Sequence, residues 1–296
     1  MSIVSLPRAG ANGRLSLAVP SKGRMSQPGL ELCAAAGLAF EVSDRALVVP
    51  CSNAPVDLLL VRADDIPEYV QDGVVDGGIT GANLVVEHRA DVVELAPLGF
   101  GRCRLDAAVP DDSHYEKLED LAGLRVATSY PVTTLLKLAE LGVKVTLVEV
   151  SGSVEVAPRL GLADAIVDLV STGSTLAANG LRAVGTLLSS QAVLIGRATP
   201  REGREELLAR LELMLTGVVA ARRRRYLMLN APASQLAAIR AVLPGMGSPT
   251  VLPLADEGMI AVHAAVDVDG VWDLLPRLKE LGASSILVVP VERLIP

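Results

Sequence analysis

Aromatic side chains are scarce in this chain: two Phe, one Trp and four Tyr make up 2% of 296 residues, although 50% of the composition is hydrophobic. Its cores must be packed from Leu, Val, Ile and Ala. Cysteine is scarce as well. Cys33, Cys51 and Cys103 are odd in number and widely spaced, which suits neither a disulfide framework nor a CxxC metal site and reads as reduced thiols of a cytoplasmic protein. No apolar run reaches the ~18 uncharged residues that crossing a bilayer takes, so a soluble protein with no membrane partner is expected. Met1 to Arg14 has neither a basic region nor a sustained apolar core; a frayed terminus is expected there, not a secretion signal. His88, His114 and His263 lie far apart, which leaves no HExxH or Cys/His ligand spacing. There is no GxSxG elbow and no GxxxxGKS/T loop, and Gly99-Phe-Gly-Arg-Cys-Arg104 lacks the third glycine of a dinucleotide fingerprint. A net charge of −7 argues against nucleic acid as a partner. The run Arg222 to Arg225 closes a helical pattern from Glu205, where cations meet the carboxyl end of the helix dipole.

What is present is an alternation of strand and helix patterns through the first two hundred or so residues, the mark of an α/β protein with mostly parallel sheets. Strands are expected at Leu15 to Pro20, Phe40 to Val42, Ala46 to Val49 and Asp57 to Val61, with helices through Leu30 to Cys33 and Ile66 to Val70. A second unit starts near Leu105 to Pro110. Its strands are Arg125 to Thr128, Lys144 to Val148 and Ala165 to Val170, with helices around Leu135 to Leu141 and Val154 to Leu160. Ala192 to Ile195 carries the chain back to the first unit, and the helix Glu205 to Arg222 completes it. Two lobes with a cleft between them follow, since α/β proteins bind ligands beyond the carboxyl ends of strands. The expected lobes are residues 1–107 with 192–222 and residues 108–191. The remainder, 223–296, reads as a βαββαβ module of ferredoxin-like type, with Ser234 capping its first helix. Modules of this kind more often regulate or assemble than catalyse.

The strongest chemical signal is Ala165-Ile-Val-Asp-Leu-Val170 running into Ser171-Thr-Gly-Ser-Thr175. A buried strand ends beside an acid, and a turn of hydroxyls and glycine opens a helix whose first amides lack partners. Such a turn binds phosphate, with charge-assisted hydrogen bonds contributing roughly 1.5–3 kcal/mol each. An N-capped structural turn accounts for the same residues. Asp168 favours the ligand reading, because a carboxylate in an apolar strand needs a polar partner and sugar hydroxyls supply one. Ser21-Lys-Gly-Arg24 offers a second anion position after the first strand, although solvated Lys and Arg near a turn account for the same residues. Arg62-Ala-Asp-Asp-Ile-Pro67 sets charges past another strand; an N-cap by Asp64 or Asp65, with Pro67 in the first turn, explains the acids but not Arg62. Glu155 opens a further helix, where it is either dipole-favoured or paired in space with Asp168.

These segments, in this order, resemble the ATP phosphoribosyltransferases of histidine biosynthesis, in the long form with its own regulatory domain. The resemblance runs from Val19-Pro-Ser-Lys-Gly-Arg24 through Val61 to Pro67, Asp76 to Gly81, Leu98 to Leu105, Ser151 to Pro158 and Gly161 to Thr175, and on to Ser248-Pro-Thr-Val251 and Leu254 to Glu257. It implies a two-lobed, periplasmic-binding-protein-like core with an ACT-like C-terminal domain. It also implies attack of adenine N1 of ATP on phosphoribosyl pyrophosphate, with Mg2+ as cofactor and no identified protein ligand for the ion. On this chain Ser171, Thr172, Gly173, Ser174 and Thr175 would hold the 5-phosphate, and Asp168 and Glu155 the ribose and its developing cation. Lys22 and Arg24 would balance the pyrophosphate. Arg62, Gly81, Asn83 and Leu84 would face ATP, Asn83 standing where relatives commonly have Asp. The resemblance further implies a homo-oligomer, dimer to hexamer, inhibited by histidine at a pocket for which Asn230, Ser248, Thr250, Ala283 and Ser285 are candidates. A two-lobed small-anion binding protein and a non-catalytic regulatory paralogue are the alternatives.

Overall fold

The computed structural model describes residues 13–43, 46–171, 173–243 and 248–295. The chain forms two compact units, one of Met1–Ala34 with Leu38–Glu212 and the other of Ala35–Gly37 with Leu213–Pro296.

The first unit holds two sheets. β1 (Leu15–Pro20), α1 (Ser26–Ala35), β2 (Val48–Pro50), β3 (Val56–Val61), α2 (Ile66–Gln71), β4 (Gly77–Gly81), α3 (Ala82–Glu87) and β5 (Val92–Pro97) supply the first. β6 (Cys103–Pro110), β7 (Arg125–Thr128), α4 (Pro131–Glu140), β8 (Thr146–Glu149), β9 (Ala165–Val170), α5 (Ser174–Ala178) and β10 (Leu181–Ser190) supply the second, before β11 (Ala192–Arg197) returns to the first and α6 (Glu205–Arg222) follows. The strand orders are β2-β3-β1-β4-β11-β5 and β10-β6-β9-β7-β8. β1 is buried along its whole length because it lies between β3 and β4, both parallel to it. β9 takes the same central place in the second sheet, between β6 and β7.

Neither sheet is mostly parallel, which corrects the sequence expectation. β11 runs antiparallel to both β4 and β5, and β6 runs antiparallel to both β9 and β10. The cause is the double crossing between the sheets, at residues 98–102 and at Gln191: a strand that enters a sheet from its neighbour meets it from the opposite end. β10 escaped the sequence reading because register shifts after Ala183 and after Thr186 break its alternation. The expected strand at Phe40 to Val42 does not form. The expected helix from Val154 shrinks to a 3-10 turn, Val154–Val156, followed by turns. Arg14 is held rather than frayed, with Nε 2.6 Å from Asp57 Oδ1 and its guanidinium donating to the carbonyls of Cys51, Ala54 and Val56. The rest of the expected frayed terminus, residues 1–12, lies outside the described residues.

The second unit carries β12 (Arg224–Pro232), α7 (Leu236–Val242), β13 (Thr250–Pro253), β14 (Met259–Asp267), α8 (Val271–Glu280) and β15 (Ser284–Pro290). Its antiparallel sheet has the order β13-β14-β12-β15, that of a ferredoxin-like βαββαβ module. Leu227, Leu229, Val262, Ile239, Leu274 and Leu278 form its core, all aliphatic, as the shortage of aromatics requires. Ser234 does not cap α7: it lies within a 3-10 turn, Ala233–Gln235, and the N-cap residue Gln235 makes no side-chain cap bond. Of the arginine run only Arg222 lies in the last turn of α6, while Arg223 and Arg224 pair with Asp269 and Asp267. Among the described residues no helix is long and apolar enough to cross a membrane.

Candidate active site

The strand ends of both sheets in the first unit open onto a common set of cavities. The turn after β9 lines one of about 240 Å³, with Arg24, Glu155, Asp168, Ser171, Gly173 and Thr175 in its wall. Two of the residues expected to handle the ribose therefore meet. Gly173 is the N-cap of α5 with φ +83°, a conformation that costs an L side chain strain, and this lets the chain turn from β9 into the helix at once. Ser174 opens α5 but is not in the cavity wall. Thr172 lies outside the described residues. The Arg24 guanidinium donates to the Ser171 hydroxyl, which ties the turn after β1 to the turn after β9.

Asp168 is half-buried, and its Oδ1 accepts the Leu169 N–H at 2.7 Å. Burial, and then the charge of Glu155, push its carboxyl above the ordinary range against the pull of that N–H. Across the sheet Asp168 stands directly opposite Asp106 on β6. Asp106 is buried and engaged, accepting from Thr186 Oγ1 at 2.7 Å and paired with Arg104 Nε at 3.2 Å.

The turn after β1 forms the wall of a larger cavity of about 890 Å³, shared by Lys22, Arg24, Arg62, Asn83, Leu84 and Tyr130. Lys22 and Arg62 are exposed cations without an ion pair among the described residues. Asp65 occupies the N-cap position of α2, and Pro67 lies in its first turn, but no side chain caps that helix. Those acids are therefore not consumed as caps, and Asp64 and Asp65 face the cavity too. Asn83 is 5% exposed. Its N–H donates to Ser190 Oγ at 3.0 Å, and the Ser190 hydroxyl donates back to Asn83 Oδ1 at 2.8 Å. Gly81 lines none of the described cavities; a Cβ there would stand 2.5 Å from Asn83 Oδ1, so its part is to leave Asn83 room.

Three features went unread in the sequence. Tyr130, the N-cap residue of α4, lines the larger cavity, and burial followed by the charges of Asp168 and Asp64 pushes its hydroxyl up to about 12. A neighbouring cavity of about 570 Å³ takes Arg102 and Arg104 together with Ser171 and Ser190. Glu87, at the end of α3, bonds to the start of α4. The Tyr and Glu carried no local signal, because only the packing of distant turns brings them to the cleft. Arg102 and Arg104 lie in the Leu98 to Leu105 segment, whose spacing carries no binding signal of its own.

The five regulatory candidates do not gather. Asn230 on β12 is in register with Ser284 at the start of β15, next to Ala283 and to Ser285, whose φ is +48°. Thr250 begins β13, at the opposite edge of the sheet, with Ser248 just before it. Thr250 is thus two strand spacings, about 10 Å, from the strand of Asn230 and three, about 14 Å, from that of Ser285.

Fold and site together define an α/β core of two sheets whose strand ends carry hydroxyl, cationic and acidic side chains into cavities, followed by a ferredoxin-like βαββαβ module. The family model described as ATP phosphoribosyltransferase matches residues 62–217, and the model for the C-terminal domain of the same family matches residues 221–293. The chain belongs to the ATP phosphoribosyltransferase family. It is 46% identical over 290 residues to the ATP phosphoribosyltransferase of Maricaulis maris, covering 95% of this chain and 99% of that one. It is 42% identical over 289 residues to that of Methanosarcina mazei, covering 95% and 100%. Among solved structures, the ATP phosphoribosyl transferase (HisG:HisZ) complex from Thermotoga maritima contains a chain 26% identical, with a TM-score of 0.59, covering 70% of this chain and 98% of that one. The protein is a pentosyltransferase of histidine biosynthesis that condenses ATP with phosphoribosyl pyrophosphate to phosphoribosyl-ATP and pyrophosphate.

Proposed function

We propose that the cavity under the β9 turn holds phosphoribosyl pyrophosphate and that the larger cavity beside it holds ATP. In this reading Ser171 to Thr175 take the 5-phosphate, while Asp168 and Glu155 bind the ribose hydroxyls and stabilise the cationic sugar as pyrophosphate leaves. Lys22 and Arg24 balance the charge of the departing pyrophosphate, and Arg62, Asn83 and Leu84 face ATP. Adenine N1 attacks with its own lone pair, so no strong base is needed and positioning with electrostatics carries the rate. The observation that carries this reading is Asp168. It stands at the end of a central strand, above its ordinary pKa range, in the wall of a cavity that also contains the Gly173 turn and Glu155.

Charge neutralisation on the leaving pyrophosphate is what Mg2+ supplies when bound. Among the described residues no three His, Cys, Asp or Glu side chains gather to hold a metal ion. Asp168 and Glu155 in the smaller cavity, and Asp64 and Asp65 in the larger, are the carboxylates that would meet an ion carried on the substrates' phosphates.

Catalysis is assigned to residues 1–107 with 192–222 as one lobe and 108–191 as the other, and feedback inhibition by histidine to 223–296. Thr250 and Ser248 stand two to three strands from Asn230, Ala283 and Ser285, and a pocket shared by two copies of the chain would bring the two groups together. A dimer-to-hexamer assembly of a cytoplasmic enzyme is part of this reading. The test is an assay of ATP, phosphoribosyl pyrophosphate and Mg2+ with and without histidine, on the full chain and on a chain lacking Tyr226 to Pro296. Phosphoribosyl-ATP formation that histidine suppresses only in the full chain is expected. Pyrophosphate not released by the full chain would point to a binding protein, and inhibition that survives the deletion would put the histidine site elsewhere.

A further inference from the structure

α4 begins without a cap of its own. Its N-cap residue Tyr130 makes no side-chain cap bond, and Pro131 has no N–H. The next two amides belong to Val132 and Thr133, and both are taken by a carboxylate from the other sheet's lobe. Glu87 is the last residue of α3, which follows β4 in the first sheet, whereas α4 follows β7 in the second. Glu87 Oε1 accepts the Val132 N–H at 3.0 Å, and Oε2 accepts the Thr133 N–H at 2.9 Å and the Thr133 hydroxyl at 2.7 Å. Thr133 is fully buried and Glu87 half-buried. A negative charge at the positive end of a helix dipole, with three charge-assisted hydrogen bonds, makes a strong tie. Away from the crossing strands, the other side-chain hydrogen bond described between these lobes joins Arg24 to Ser171.

We propose that Glu87 is a positioning residue of the transferase reaction: by capping α4 from the opposite lobe it latches the two lobes in the arrangement that presents Tyr130 and the ATP-side wall to Asp168. Tyr130 immediately precedes the latched turn and lines the 890 Å³ cavity with Lys22, Arg62 and Asn83. Glu87 itself lies in the wall of a further cavity of about 920 Å³ that contains Arg62, Asp64 and Tyr130. When the latch opens, both substrate walls separate at once, whereas the reacting groups themselves are untouched.

That predicts a particular kinetic pattern. If the closed arrangement becomes a minor population, apparent affinity falls by the fraction closed, equally for both substrates, while saturating substrate restores the closed state. Glu87→Ala should therefore raise KM for ATP and for phosphoribosyl pyrophosphate in parallel, each measured with the other substrate well below saturation, by about tenfold, with kcat at saturation of both within about twofold of the parent. Glu87→Gln, which keeps one good acceptor, and Thr133→Val, which removes only the hydroxyl bond, should each give a smaller parallel rise. A side chain that merely supports folding would behave in the opposite way, lowering active enzyme and hence kcat with both KM values unchanged. Hydrogen exchange provides the second readout: the Val132 and Thr133 amides should lose protection in Glu87→Ala while β1 and β9 keep theirs. Unchanged KM values in Glu87→Gln and Glu87→Ala, or retained protection at residues 132 and 133, overturn the latch. A parent protein that makes no phosphoribosyl-ATP would instead overturn the transferase assignment, so the two failures are distinguishable.

Discussion

Asp168→Asn replaces one side chain by another of nearly the same shape and removes a single charge. The structure makes the catalytic consequence large. Asp168 shares the 240 Å³ cavity with Glu155 and the turn after β9, and its described hydrogen bond is to a single neighbouring N–H, so most of its acceptor capacity is open to the cavity. Removing one preorganised group aimed at charge that develops in the transition state costs about 10²–10³ in kcat, or about 2.7–4 kcal/mol. Stability should move the other way. The folded carboxyl is raised above its ordinary value by burial and by Glu155, so the folded state holds its proton to higher pH than the unfolded chain. The associated stability is complete below the ordinary carboxylate range and is lost as pH rises through the raised value. At neutral pH the charged Asp168 is therefore a cost, and its amide variant should unfold at the same temperature as the parent or higher. The assay follows phosphoribosyl-ATP by its ultraviolet absorbance across pH, with thermal unfolding measured in parallel. The parent's rate should climb as pH passes upward through the raised carboxyl value; the variant's residual rate should lack that limb. A variant within about threefold of the parent's kcat, or one that is inactive because it unfolds earlier, would refute the reasoning.

Gly173→Ala tests the turn apart from its hydroxyls. The added Cβ meets nothing closer than Val170 Cγ1 at 4.0 Å, so the cost is the φ of +83° alone, about 1–2 kcal/mol. KM for phosphoribosyl pyrophosphate should rise several-fold while KM for ATP holds, as initial rates at varied substrate would show; equal effects on both substrates would remove the turn from the phosphate site. Ser190→Ala tests the ATP side. It deletes both hydrogen bonds that fix Asn83, so KM for ATP should rise selectively. Isothermal titration with ATP would reveal the same loss, and unchanged affinity would make the Asn83–Ser190 pair a purely structural contact.

Much of the first unit was legible because its strands announce themselves. Leu15 to Pro20 and Ala165 to Val170 form as read, each a short apolar run between turn residues, which is what burial between two neighbours selects. The turn after β9 was legible for a related reason: hydroxyls and glycine placed immediately after an apolar strand mark where the chain turns into a helix, and Gly173 is the N-cap of α5. Tyr130 and Glu87 were illegible. Nothing in Ser129-Tyr-Pro131 or Val86-Glu-His88 distinguishes them from surface residues, and their significance comes from a helix start in one lobe meeting a helix end in the other. β10 was hidden by its bulges, and with it the return path that makes both sheets mixed. The separation of Thr250 and Ser285 to opposite edges of one sheet was not read either, because strand order in a βαββαβ module is set by pairing and not by sequence distance.

The pairing of Asp168 with Asp106 explains how the site can be charged without being unstable. Two carboxylates directly opposite on antiparallel strands repel each other, and such a pair is normally avoided. Here the two acids have different company. Asp106, the more buried, has one oxygen on Thr186 and the other on Arg104. Arg104 therefore offsets one of the two charges from the side of the sheet that leads to Ser171. Asp168 is left with the Leu169 N–H on one oxygen and no described partner on the other. The chain thus sets an exposed arginine and a hydroxyl against an acid that lines none of the described cavities, and leaves unneutralised the acid that does line one. An uncompensated half-buried carboxylate is a poor way to stabilise a fold and a good way to meet a sugar that becomes cationic only as its pyrophosphate leaves. The asymmetry between these two neighbours, more than the presence of either, is what favours Asp168 over Asp106 for the proposed contact with the sugar.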